Sequence, residues 1–119
     1  MRRDMDLIRS MLKAVADSDA PLDAHVLVDD AHPFEMVAYH ADLLRQAGLA
    51  DVSEVKDAGG KIVLATIGPL TWAGNDFLDA IRSDSVWSRT KRLVAARVGS
   101  ASFEVLKAVA VKIATDALL

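Results

Sequence analysis

The sequence predicts an α+β fold, mainly helical, with a small antiparallel sheet. Three observations carry this. Apolar residues recur at spacings of three and four in several separate stretches, which is the helical period. Two runs rich in β-formers flank the glycine pair of "KDAGGK", the signature of a hairpin. Finally, 119 residues with 52% hydrophobic and 26% charged side chains are the composition of one domain large enough to bury a core. Within a single domain 1–119, a core over residues 1–82 and a helical extension over 83–119 are expected.

Taken in order, Met5, Ile8, Met11, Leu12 and Val15 form the stripe of a first helix, with Asp4 or Asp6 able to cap its positive end. "DSDAPLD" (17–23) breaks it. "AHVLV" (24–28) is short and rich in β-branched residues, and predicts a strand. "DDAHP" reads as a turn, with Pro33 at a first helical position. A second long helix covers 34–47. Met36, Val37, His40, Ala41, Leu43, Leu44 and Ala47 share one face, and Glu35, Ala38, Tyr39, Asp42, Arg45 and Gln46 the other. Gly48 stands where a left-handed cap is wanted. His40 lies on the apolar face and reads as a neutral core histidine whose ring N–H meets a backbone carbonyl.

A hairpin follows, with "DVSEV" and "IVLATI" around the tip Asp57-Ala58-Gly59-Gly60, packing back on the helices through Ile62 and Leu64. Gly68-Pro69 is expected to end its second strand. Thr71 caps a third helix with Phe77, Leu78 and Ile81 inward. "SDSVWSRTKRLVAARVG" is a fourth, with Val86, Thr90, Leu93 and Val94 inward and Gly99 at its end. Ser100 or Ser102 opens a last helix that runs to about Ala117.

Composition narrows the function classes. The absence of cysteine removes disulfide frameworks and thiolate metal sites, and fits a cytoplasmic protein. The basic start "MRRDMDLIRSMLKAV" is interrupted by Asp4, Asp6, Arg9 and Lys13, so an amphipathic helix is read there and not a signal peptide. The last helix carries Glu104, Lys107, Lys112 and Asp116, and no membrane segment is expected. Charge is uneven: residues 1–60 hold six Lys/Arg against twelve Asp/Glu, and residues 61–119 eight against five.

A helix ending in "LLRQAGL", a two-stranded hairpin and then "LTWAGNDFL" resemble the winged-helix pattern of many bacterial regulators. More narrowly, "RRDMDLIR" (2–9), "YHADLLRQAGL" (39–49), "LTWAGNDFLDAIR" (70–82), "VWSRTK" (86–91) and "SFEVLKAVA" (102–110) resemble a bacterial and phage family catalogued as domain of unknown function 2513. The resemblance runs the length of the chain and implies a winged helix with a C-terminal helical extension. It brings no activity. One departure stands out: residues 18–33 leave little room for the short supporting helix of a helix-turn-helix.

For DNA contact, the second helix offers Tyr39, Arg45 and Gln46, and Lys56 and Lys61 flank the wing tip. Glu35 and Asp42 share the same helix face and repel phosphates. A second basic cluster holds Arg89, Lys91, Arg92 and Arg97, with Trp87 either stacking beside Arg89 and Arg92 or packed in the core. The core reading of Trp87 is preferred. His25, Asp29, Asp30 and His32 are explained by turn chemistry, so neither metal nor cofactor is expected. No catalytic constellation is present: "AGGKI" lacks the frame of a phosphate loop, and G-x-S-x-G is absent.

The last helix has a seam of Phe103, Leu106, Ala110, Ile113 and Ala117, widened by Val105, Val109, Val111 and Ala114. A helix apolar on several sides either threads one chain's core or pairs with a second copy, and a homodimer through Phe103, Leu106, Ala110 and Ile113 is expected. Two functions follow, both non-enzymatic. The first is a DNA-binding or regulatory module using the helix 34–47 and the wing. The second is a protein-interaction adaptor on the same fold. The charge on the helix–wing face separates them: a positive field favours DNA, and a neutral or acidic one favours a protein partner.

Overall fold

A computed structural model describes residues 1–98 and 103–118, with the side chains of 1–95 and 104–116. The order is α1 (Met5–Ala16), β1 (Leu22–Asp23), a single 3₁₀ turn (Ala24–Leu27), α2 (Phe34–Gln46), β2 (Ala50–Lys56), β3 (Ile62–Leu70), α3 (Trp72–Ile81), α4 (Asp84–Val98) and α5 (Phe103–Leu118). The fold is α+β and mostly helical, with one antiparallel sheet in the order β1-β3-β2. It divides into two compact units, Met1–Asn75 and Asp76–Leu119.

In the first unit, α1 and α2 cover one face of the sheet. The α1 stripe is buried at Leu7, Ile8, Met11, Leu12 and Val15, and α2 buries Val37, Ala38, His40, Ala41 and Leu44. Asp4 is the α1 cap, its carboxylate accepting from the Leu7 N–H at 3.1 Å. Period two brings Ala50, Val52 and Glu54 of β2 to the helix side, opposite Ala65 and Ile67 of β3.

Several expectations need correction here. Residues 24–28 are not a strand. The Asp23 carboxylate accepts from the His25 N–H at 2.9 Å and starts a helical turn instead, a local side-chain bond that competes with a sheet ladder. The strand is the two residues before it, with Leu22 opposite Ile67 and Asp23 opposite Thr66. Within residues 18–33 the helical structure is this single 3₁₀ turn, Ala24–Leu27. Pro33 is the cap of α2 and Phe34 its first residue. Ala38 is buried although the wheel put it outside.

In the hairpin, Ala65 and Ile67 pack inward while Leu64 is exposed. Leu64 points outward because it alternates with the inward Ala65, and a register shift between Val55 and Lys56 inserts Val63 as an extra residue on β3, so Leu64 and Ile62 do not share a face. Strand β3 also continues through Gly68-Pro69 to Leu70, because a second shift between Ala50 and Val52 lifts these residues out of the ladder. The tip is as expected: Asp57 Oδ1 accepts from the Gly59 and Lys61 N–H groups, and Gly60 has φ +84°.

In the second unit, α5 packs along α4. Trp87, Thr90 and Val94 of α4 are buried, as are Leu106 and Ala110 of α5. Leu93, expected inward, is 36% exposed. Gly99, Ser100, Ser102 and the side chains of Arg97, Phe103 and Ala117 lie outside the described residues. Among those described, no helix is long and apolar enough to cross a membrane.

Candidate functional site

The outer face of α2, with the hairpin beside it, collects most of the polar residues singled out from the sequence. The helical period aligns Glu35, Asp42 and Gln46, and the sheet delivers Glu54 and Lys61 alongside. Arg45, Gln46 and Lys61 each find an acid. Arg45 meets Asp42 Oδ1 through Nε at 2.9 Å and Nη2 at 2.8 Å, and Glu54 Oε1 through Nε at 3.1 Å. Gln46 Nε2 donates to Asp42 Oδ2 at 2.6 Å. Lys61 Nζ lies 2.6 Å from Glu35 Oε1.

Electrostatics follow from this geometry. Burial works to raise the Asp42 carboxyl, but hydrogen bonding with Glu54, Arg45 and Gln46 and the Arg45 charge outweigh it and hold it below the ordinary carboxylate range. Glu54 is pushed up, by burial first and then by its hydrogen bond with Asp42 and the negative charge there, which Arg45 offsets only in part. Its side chain is 10% exposed, and its Oε2 is buried with no hydrogen-bond partner. Lys61 is raised by its hydrogen bond with Glu35, and Glu35 is lowered by the same bond.

Tyr39 is half-buried, its ring edge-on to His40 at 5.4 Å. His40 is the core histidine expected. It is fully buried, with Nδ1 donating to the Met36 carbonyl and Nε2 accepting from the Asp4 N–H, both at 2.8 Å. These two bonds fix the neutral tautomer. Lys56 is exposed at the end of β2, next to Asp57. Arg89 and Arg92 are exposed on α4, whereas Trp87 is in the core with Lys91 Nζ 5.6 Å from its ring centroid. In the turn, Asp29 Oδ1 accepts from the Ala31 and His32 N–H groups and contacts His32 Nδ1 at 2.9 Å, which is the turn chemistry expected. Of the expected dimer seam, Leu106 and Ala110 are buried and Ile113 is half-buried.

Sequence reasoning missed three features. Glu54 joins the α2 cluster from β2, and the alternation of Ala50, Val52 and Glu54 was its signal. Trp72 opens α3 with 85% of its surface exposed, and periodicity gives no sign of that. An apolar groove of about 330 Å³ runs between α4 and α5, lined among others by Leu93, Val105, Val109 and Ile113.

Over residues 2–101 the chain matches the family described as "Hypothetical protein (DUF2513)". An uncharacterized protein of Haemophilus influenzae is 33% identical to it over 120 residues, 99% of each chain. No solved structure matches. With the family match covering most of the sequence and this relative nearly all of it, the chain belongs to the DUF2513 family.

Proposed function

We propose that the chain is a non-enzymatic protein-interaction module built on a winged helix with a C-terminal helical extension. The order of elements supports the winged-helix part: helix, short strand, helical turn, helix α2, hairpin, with β3 between β1 and β2. In that arrangement α2 occupies the recognition-helix position and the β2–β3 hairpin the wing.

The observation that carries the interaction reading is the state of the cations on this face. Arg45 is held by Asp42 and Glu54, and Lys61 by Glu35. Arg45, Lys56 and Lys61 stand beside four carboxylates, Glu35, Asp42, Glu54 and Asp57. DNA affinity comes mainly from cations that displace counterions from phosphates, and here a phosphate would have to displace acids already in contact. Exposed apolar residues give a protein partner something to bury: Trp72 at the start of α3, and Val55, Val63 and Leu64 on the hairpin.

The test is a fluorescence titration of the full chain with random and genomic duplexes from 20 to 200 mM salt. No saturable binding at the low end is the expected result. Binding that falls steeply with salt and weakens in Arg45→Ala and Lys61→Ala would return the module to DNA.

A further inference from the structure

We propose that the groove between α4 and α5 is a docking site for an amphipathic helix of a partner protein, one whose polar flank is acidic; this rests on the protein-interaction reading above. Two helices packed side by side bury the stripe between them and leave a furrow along the joint. In this unit Trp87, Thr90 and Val94 of α4 and Leu106 and Ala110 of α5 are the buried stripe. On one side of the joint the furrow stays apolar without being covered. Leu93 from α4 is 36% exposed and Val105 from α5 is 45% exposed, with Val109 and Ile113 half-buried between the walls. Val105, Val109, Ile113 and Asp116 follow one another at spacings of four and three on α5, with Lys112 beside Ile113, so the furrow extends over about 16 Å, or three helical turns. That length and apolar lining match a third helix laid in the groove with anchors one turn apart.

Charge selects the occupant. The rim holds Arg89, Lys112 and Asp116. Asp116 is already 3.6 Å from Lys112 on its own helix, which among the described residues leaves the Arg89 guanidinium as the charge on this rim without a carboxylate on its own helix face. A partner helix with glutamate or aspartate on that flank meets the Arg89 guanidinium, whereas one with lysine meets repulsion. A second copy of this chain is the weaker fit. Its own groove presents Asp116 as the one carboxylate among the lining residues, and that carboxylate is engaged.

The experiment uses the full chain and three synthetic, fluorescently labelled 18-residue peptides. One carries leucines at i, i+3, i+4 and i+7 with glutamate flanks. The second is the same peptide with lysine flanks, and the third is a shuffled version of the first. The glutamate peptide is expected to bind in the micromolar range, roughly tenfold tighter than the lysine peptide, and the shuffled peptide not at all. Val109→Glu should weaken the glutamate peptide at least tenfold. Arg89→Glu, a change at an exposed position, should invert the preference so that the lysine peptide binds better. The proposal is overturned by equal binding of the shuffled peptide, by an unchanged preference in Arg89→Glu, or by no binding to a monodisperse monomer. A dimer in sedimentation that Val109→Glu splits would also overturn it, since the second copy would then fill the groove. A duplex titration run alongside separates the two levels. Failure of peptide binding without DNA binding removes the groove alone, and DNA binding removes the interaction reading as well.

Discussion

A buried imidazole has few ways to be content, and His40 uses a strict one. Its Nδ1–H goes to the carbonyl one turn back in its own helix, and its Nε2 takes the amide of Asp4 at the start of α1. The ring thus ties the entry of α1 to the middle of α2 at a point where the helix start leaves an N–H in need of a partner. His40→Ala removes that acceptor and opens a cavity, and should lower stability by roughly 1–3 kcal/mol. A chemical-denaturation midpoint unchanged from wild type would contradict the role. Glu54 is the opposite case, a carboxylate in a row that should be apolar. Because its folded pKa is raised above the ordinary 4.5, the stability it contributes is complete in acid and is lost as pH rises through the folded value. Asp42, held low, runs the other way: its contribution is present above 3.8 and is lost on acidification. Glu54→Gln keeps an oxygen for Arg45 and removes a buried negative charge from beside Asp42. At pH 7 it should be more stable than wild type by about 1 kcal/mol, with the gain disappearing near pH 4. Thermal melts of both proteins between pH 4 and 8 check this, and a gain that grows toward acid would show the sign to be wrong.

At the scale of elements, the joint between α2, β2 and α3 depends on one small residue. Thr71 caps α3 by accepting from the Gly74 N–H at 3.1 Å, while its hydroxyl donates to the Gly48 carbonyl at 2.5 Å and its own N–H to the Leu49 carbonyl at 3.0 Å. The first turn of α3 is thereby pressed against the corner where α2 ends, so closely that a Cβ on Gly74 would lie 1.9 Å from the Leu49 carbonyl oxygen. Gly74→Ala should cost roughly 1–3 kcal/mol, since a backbone atom cannot swing aside as a side chain does. Gly48, with φ +71° and open space around it, should instead show only the conformational penalty of about 1 kcal/mol in Gly48→Ala. Equal losses in the two variants would remove the close-approach argument. The elements that periodicity specifies strongly were legible: the α1 stripe, the α2 face and the glycine tip of the hairpin. Those decided by a single local bond or a one-residue slip were not. The Asp23 carboxylate converts an apparent strand into a helical turn, and the shift beyond Val55 separates Ile62 from Leu64, which alternation with Ala65 leaves in solvent. The candidate site was legible by halves. The wheel placed Arg45 and Gln46 with Asp42, but charge on a wheel does not say who holds whom, and Glu54 arrives from another element.

For the whole molecule, the question left by the sequence was what an over-apolar last helix is for. Part of the answer lies within the chain: α5 packs along α4 and buries Leu106 and Ala110. Two of the four residues expected to face a second copy are therefore already covered, while Val105 and Val111 stay exposed on α5. The two kinds of burial respond differently to concentration. Burial within a chain gives a melting temperature independent of how much protein is present, whereas burial between copies raises it with concentration by mass action. Leu106→Ala should accordingly lower stability by about 2–4 kcal/mol, the cost of a large-to-small change in a packed interior. That loss should be the same at 5 and at 500 micromolar protein. Val111→Glu, on the exposed side, should leave the melting temperature of dilute protein unchanged. If the wild-type melt instead climbs with concentration and Leu106→Ala abolishes the climb while the chain stays folded, Leu106 is an intersubunit contact and the two-fold pairing through α5 is the correct account of its apolar seam.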